Sequence, residues 1–494
     1  MFIWPLLSIV IFSPLLGALA ISFAKGREEF VARNARNTAF FTTIISFIFS
    51  ILVWIKFDVD NASVQLTNHF SILPNFFLNY NVGIDGISLF FVISTSLLGM
   101  LCVASTWLTY TPRIKEFMVS FLILESMVLG AFASQNLMLF FLFFEGALLP
   151  LFIMIGVWGG ETAKNSAFRF AVGAIVGSMI MLPALLIVIF RSGTGYIPDL
   201  GTMNFSGEIL NLIWWALFIG FAFRLPIVPL HSWYTHLLNH APIPVTAFVV
   251  GAVAKLGMYG MLRVNIGIFP YAASDFSMTA IVILFISSLY AISNALVTQD
   301  LKKAIGYVAM ASMNLIVVGI FILTYRSITG AVFLSILYGT TSAGLLIIVA
   351  ILNQRFGEIP INNMGGVLLK TPFISSAFLV LALTVAGMPF TGGFVGLLIS
   401  LTSAFEAMPI IGIVMAILFV LIGVTFLNIH RKVFWGSINE DLKKNVKDAN
   451  VWERALVLSI LLMVFITGVF PMILLKPIEQ TVWSIVVNFS GIGN

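Results

Sequence analysis

Apolar runs about twenty residues long, broken by short polar segments, recur from one end of the chain to the other. A helix of that length crosses ~30 Å of hydrocarbon. Fourteen such runs are read, at residues 3–24, 37–56, 86–108, 115–133, 137–157, 167–190, 210–239, 243–262, 276–297, 304–325, 328–354, 373–406, 408–430 and 455–475. Lipid offers no partner to an unpaired backbone group, so spanning segments must be helices or a closed barrel. Strand-like alternation is not evident. The pattern therefore predicts an all-α polytopic membrane protein with about fourteen transmembrane helices. The first run contains Ala18-Leu19-Ala20, which imitates a signal-peptidase site. It lacks a basic leading segment and is long enough to span, so it is read as a helix.

Two of the runs are too long and are interrupted. The seventh contains Pro226 and Pro229, and the twelfth contains Gly387, Pro389, Gly392 and Gly393. Proline removes a helix hydrogen bond and glycine loosens the turn, so both helices are expected to break near the membrane midplane. Each is the fourth helix of a group of five, counting from the fourth and the ninth run. Five is odd, so the second group enters from the opposite side. This predicts two inverted five-helix repeats with discontinuous helices, as in secondary transporters. The expected organisation is an N-terminal three-helix segment (1–110), a first repeat (115–262), a second repeat (276–432) and a cytoplasmic loop with a C-terminal helix (433–494).

Composition agrees with a bilayer protein: 60% of 494 residues are hydrophobic and 9% are charged, against about a quarter charged in soluble domains. The net charge of +5 is spread in short basic clusters between apolar runs. These read as topology determinants and not as a nucleic-acid surface. With residues 25–36 in the cytoplasm, eighteen basic residues fall in cytoplasmic loops, Lys443 and Lys444 among them. Five fall opposite: Lys56, Arg191, Arg263, Arg326 and Lys476. Both ends of the chain are then expected outside. The single cysteine, Cys102, excludes an internal disulfide, a four-thiolate zinc site and an iron–sulfur cluster on this chain. No metal-ligand spacing is present, and no glycine-rich nucleotide fingerprint.

The candidate chemistry lies in the few ionisable groups inside apolar runs: Glu125, Glu145, Arg224 and Lys255. Such groups are expensive in lipid and mark ion or proton paths. Burial favours the neutral form of a lysine or a glutamate, and a neighbouring opposite charge restores the ionised form. A lysine between these influences loads and releases a proton when a nearby charge moves. Arginine is not deprotonated in proteins, so Arg224 is a fixed counter-charge to Glu145 or an electrostatic gate. Lys255 is the proton-carrier candidate. A static Glu145–Arg224 pair that fixes the bundle is the competing reading. For Glu125, the alternatives are a link to a neighbouring subunit or a bond from Ser126.

All five histidines lie away from mid-span; His231, His236 and His240 cluster on the cytoplasmic side as a candidate intake funnel. The second repeat has no Lys, Arg, Asp, Glu or His at mid-depth. A path there would depend on water and residues such as Ser312, Asn314, Tyr338, Ser342 and Thr384.

The stretch FLILESMVLGAFASQNLMLFFLFFEGALLPLFIMIGVWGG resembles the fourth and fifth spans of the chain M family of respiratory complex I, the NADH:quinone oxidoreductase. GIDGISLFFVI, PIVPLHSW, AKLGMYGMLRVN, DLKKAIGYVAM, GMPFTGGFVG and HRKVFWG follow in that family's order. The resemblance covers nearly the whole chain. It implies an antiporter-like, proton-translocating membrane-arm subunit in a bacterial inner membrane, in preference to a mitochondrial one. Its partners would be other membrane-arm subunits, lipid and protons, and not nucleic acid. NADH, flavin, iron–sulfur clusters and quinone would sit on partner subunits, with no cofactor on this chain. The family's span-5 glutamate maps onto Glu145 and its span-8 lysine onto Lys255. Departures mark a divergent copy: the span-7 lysine is Arg224, the span-10 histidine is Ser312, the span-11 histidine is Tyr338, and the acid after the second break is Leu397. A non-pumping structural subunit of the arm and a subunit of a multi-chain cation/proton antiporter are the alternatives.

Overall fold

Polar caps and prolines mark where apolar runs become helices. In the computed structural model the described residues are 5–73, 77–109, 111–160, 163–203, 205, 207, 209–437 and 447–490, with side chains to 486. Residues 3 and 4 of the first predicted span, and Lys443 and Lys444, lie outside them.

The chain begins with α1 (Leu6–Ser22) and α2 (Glu28–Lys56). A hairpin of β1 (Gln65–Leu73) and β2 (Leu78–Ile84) precedes α3 (Gly86–Ser105) and α4 (Ile114–Ala133). Asp85 caps α3, accepting from the backbone N–H groups of Ile87 and Ser88. Next come α5 (Leu137–Gly146), α6 (Leu148–Trp158), α7 (Ala163–Ser192), the short α8 (Ile197–Leu200), α9 (Ile209–Ala222) and α10 (Ser232–His240). One continuous helix, Ile243–Ile266, alternates α-helical α11 (Ile243–Phe248) and α12 (Lys255–Gly260) with π-helical Val249–Val253 and Met261–Ile266. Then follow α13 (Pro270–Val297), α14 (Leu301–Phe321), α15 (Tyr325–Phe356), α16 (Pro372–Val385), α17 (Gly392–Ala407), α18 (Pro409–Phe434), α19 (Val451–Val469) and α20 (Met472–Ser490). Proline occupies the first turn of α11, α13, α16 and α18, where its missing N–H has no helical partner to lose.

Among the described residues eleven helices are long and apolar enough to cross a membrane, so the chain is a polytopic, predominantly helical membrane protein. The apolar stretches of Ile243–Ile266 and Tyr325–Phe356 are wholly buried and that of Leu301–Phe321 is 94% buried, which puts these three helices at the centre. Around them α2, α7, α13, α18 and α19 turn apolar side chains outward, among them Ile45, Met179, Ile286, Ile417 and Leu462. That inverted surface is what lipid or partner helices cover.

Two features differ from the sequence reading. The expectation of no strands is corrected by the antiparallel β1–β2 pair, in which Asn68 faces Val82 and Phe70 faces Tyr80. Strands of seven to nine residues escape a search for twenty-residue runs, and pairing satisfies their backbone outside the apolar bundle. The last predicted span, 455–475, is α19 shifted toward the N-terminus, and a further helix, α20, follows. This helix lies against the start of α3, with Thr481 Oγ1 accepting from Gly86 N–H at 2.9 Å.

Candidate functional site

Lys255 stands at the junction between a π-helical segment and α12. The π turn leads the Ala254 N–H to the Val249 carbonyl, five residues back, and such bulges gather at functional sites because they re-aim side chains. Lys255 is 5% exposed. Its Nζ donates to Val250 O at 3.4 Å and to Met313 Sδ at 3.3 Å. Among the described residues no carboxylate lies within ion-pair distance of it. Its charge state is therefore not locked by a fixed counter-ion.

Glu145 is the penultimate residue of α5, beside the joint at Ala147 that separates α5 from α6. Arg224 lies just past the end of α9, where the seventh apolar run breaks. The two meet at 3.8 Å, Arg224 Nη2 to Glu145 Oε1, too long for a direct hydrogen bond. Arg224 is held instead by the Phe144 carbonyl at 2.5 Å and by the Phe144 ring, 4.5 Å from its Cζ. The Glu145 carboxylate accepts from the Ser178 hydroxyl on α7. A cleft of about 10 Å³ beside them is lined by Glu145, Ser178, Arg224 and Trp233. That is room for a single water molecule, and Arg224 Nη1 and Trp233 Nε1 on its wall have no acceptor among the described residues.

Glu125 is fully buried in α4, and neither carboxylate oxygen has a partner among the described residues. It packs where α3 carries Gly99; a Cβ there would collide with the carboxylate. Two expectations are corrected. Ser126 donates to Ile11 O at 2.6 Å and does not serve Glu125. Burial beneath α3 also keeps Glu125 from an outer surface that a neighbouring subunit reaches. A buried polar group without partners is costly.

His236 and His240 stand one turn apart on α10, with His231 at its N-cap. His240 lines a cavity of about 660 Å³ together with Lys302 and Glu358. His236 faces Ser166 at 3.5 Å, and His231 packs edge-on against Tyr290, ring centroids 4.8 Å apart.

Sequence reasoning missed the use of the polar residues in α14 and α15. At the first break Val228 N–H donates to Ser287 Oγ at 3.0 Å, and Asn314 Nδ2 bridges Ser287 Oγ at 2.8 Å and Pro226 O at 3.4 Å. At the second break Tyr338 donates to Val385 O at 2.7 Å. Gly387 there adopts φ +85°, which glycine tolerates. These side chains satisfy backbone groups that the interruptions free. Ser312 and Thr384 donate to carbonyls of their own helices. Asp85 and Arg263 were also missed as a pair: they form a buried ion pair between the start of α3 and the end of Ile243–Ile266. Nothing in their sequence separation of 178 residues announces it.

Comparison with known proteins places this arrangement. Residues 134–423 match the family described as NADH:quinone oxidoreductase/Mrp antiporter, TM. The chain is 32% identical over 489 residues to NADH-quinone oxidoreductase subunit M of Rickettsia prowazekii, covering 98% of this chain and 99% of that one. It is 32% identical over 481 residues to NADH-ubiquinone oxidoreductase chain 4 of Marchantia polymorpha, covering 97% of each. In fold it resembles a chain of respiratory complex I from Thermus thermophilus with bound NADH, with TM-score 0.87, 23% identity and coverage of 97% and 99%. A chain of the Mrp complex from Dietzia sp. DQ12-45-1b gives TM-score 0.87 at 17% identity, with coverage of 100% and 99%.

Proposed function

Because the chain belongs to the NADH:quinone oxidoreductase/Mrp antiporter family of membrane subunits, we propose that it is a proton-translocating membrane-arm subunit of a complex I-type NADH:quinone oxidoreductase in a bacterial inner membrane. Redox chemistry takes place on partner chains, and this chain moves protons in response. Lys255 is the carrier, Glu145 the charge switch, Arg224 its fixed counter-charge and Glu125 a further proton-holding group.

The observation that carries this reading is the setting of Lys255: mid-helix, buried, beside a π segment, and without a carboxylate partner among the described residues. An ammonium that served only to pin helices together would be matched to a fixed anion, since an unmatched buried charge is costly. A lysine that alternates between charge states needs weak, neutral contacts. The Glu145–Arg224 pair is similarly loose at 3.8 Å, which leaves the carboxylate free to respond to its surroundings.

The finer architecture belongs to the same proposal: fourteen crossings, with two inverted groups of five at 115–262 and 276–432. Supporting it, the third helix of each group, α7 or α15, packs against both halves of the broken fourth, α9/α10 or α16/α17. Loops also sort by parity. Residues near 108–109, 111–112, 158–160, 239–243, 302 and 353–358 border one cavity, whereas 62–64, 135, 196–201, 263–267 and 481–485 border another. Alternate connections therefore meet at opposite ends, as successive crossings require. The expected cytoplasmic side is the first.

The test is proton transport by the whole assembly in proteoliposomes. Lys255→Ala is expected to lower protons moved per NADH oxidised; an unchanged ratio would defeat the reading. A second reading, a structural subunit that does not pump, draws on the second group. Ser312, Tyr338 and Thr384, three of its mid-depth polar side chains, donate to helix backbone carbonyls. The same measurement decides between them.

A further inference from the structure

The helix Ile243–Ile266 runs between two cavities. Its first turn borders the cavity that holds His240, Lys302 and Glu358, and its last turn borders a cavity of about 540 Å³ lined by Asp85, Gln135, Tyr196, Arg263, Thr481 and Ser484. Lys255 lies eight residues before Arg263, about 12 Å along the axis at 1.5 Å per residue. Between them the sequence is Leu-Gly-Met-Tyr-Gly-Met-Leu, so Tyr259 is the one polar side chain on that stretch.

Tyr259 is surrounded by the rings of Phe91, Phe132 and Phe140, with centroids 5.9, 5.2 and 6.1 Å away. Its hydroxyl donates to Phe132 O at 3.1 Å, and the Arg263 guanidinium lies 5.2 Å from its ring centre. Arg263 is bound to Asp85, whose side chain is 5% exposed, against 12% for Arg263. The Lys255 amine rests against Val250 O and Met313 Sδ. One turn further along the same helix come a phenol in an apolar collar and then an ion pair at the edge of an open cavity, so the amine must swing toward the phenol to reach them.

We infer that the outward half of the proton path runs from Lys255 past Tyr259 to the Asp85–Arg263 pair and leaves through this cavity, within the first group and without the second. The inference rests on Lys255 being the carrier. In the outward step the Lys255 ammonium loses a proton to a hydrogen-bonded chain that includes the Tyr259 hydroxyl. The hydroxyl accepts one proton and passes on its own. The Asp85 carboxylate takes up the arriving proton and becomes neutral. Arg263 is then an unneutralised cation beside a carboxylic acid, and its field drives that proton into the cavity, restoring the pair. One proton enters and one leaves, and no electron moves. The phenyl collar restricts passage to the phenol, which keeps the two cavities from joining through open water.

The test uses the whole assembly in proteoliposomes and reads protons moved per NADH oxidised. A defect that is merely structural lowers both fluxes and leaves the ratio alone. Asp85→Asn keeps a helix-capping side chain but strands the Arg263 charge. The double variant Asp85→Asn with Arg263→Gln removes both charges and is the safer protein to assemble. Either one, together with Tyr259→Phe, is expected to lower the ratio by the same share as Lys255→Ala. If Lys255→Ala lowers the ratio while the pair-neutral variant and Tyr259→Phe leave it unchanged, this route is wrong and the carrier stands. If Lys255→Ala itself changes nothing, carrier and route fall together.

Discussion

Lys255 and Gly339 share one space: a Cβ built on Gly339 would lie 2.7 Å from Lys255 Cε and 2.5 Å from the Gly251 carbonyl oxygen. Small residues let α15 and the π segment of Ile243–Ile266 approach this closely, and the lysine stem fills what remains. Gly339→Ala is therefore expected to push the lysine aside and to overpack the interface by about 1–3 kcal/mol. A lower Tm for the detergent-purified assembly, together with reduced proton transport, would confirm it. An unchanged Tm with normal transport would mean the helices part easily.

A permanent charge should not substitute for a titrating one. Lys255→Arg keeps the cation and removes its ability to release a proton. Proton turnover through this subunit is expected to slow by roughly 10²-fold, the scale of losing a positioned proton-transfer group. Transport at the wild-type proton-to-NADH ratio in the arginine variant would show that the nitrogen acts only by its charge.

For the Glu145–Arg224 pair, a double-mutant cycle separates a switch from a clamp. With Glu145→Gln, Arg224→Gln and the double variant, the coupling read from unfolding is expected in the low part of the range on the order of 0.5–3 kcal/mol. The long contact and the Phe144 carbonyl both loosen the dependence on the carboxylate. Coupling at the top of that range, with transport unaffected by Glu145→Gln, would identify a structural clamp.

Tyr338→Phe tests what the second break requires. Removing the hydroxyl strands the Val385 carbonyl at the end of α16, a loss of about 1–3 kcal/mol for an unsatisfied buried acceptor. Stability should fall while protons per NADH stay constant, because the phenol caps a helix and carries nothing. A fall in that ratio would place the outward path in the second group and contradict the route through Tyr259.

The helical, membrane-spanning character and the positions of both interruptions were legible in the residues alone. Twenty-residue apolar windows and proline chemistry are local properties, and lipid leaves the backbone few options. Lys255, Glu145, Arg224 and Glu125 could also be singled out, since an ionisable group in an apolar run is anomalous before any fold is known. Partner choice was not legible. That Glu125 lacks a partner while Ser126 serves Ile11, that Asn314 repairs a distant helix break, and that Asp85 meets Arg263 all depend on which helix faces lie together. Those faces are chosen by packing among helices that are apolar on nearly every side, where periodicity carries little information. The hairpin and α20 escaped for a different reason: they are too short or too polar to register as spans, and they are ordered by the ends of the bundle on which they rest.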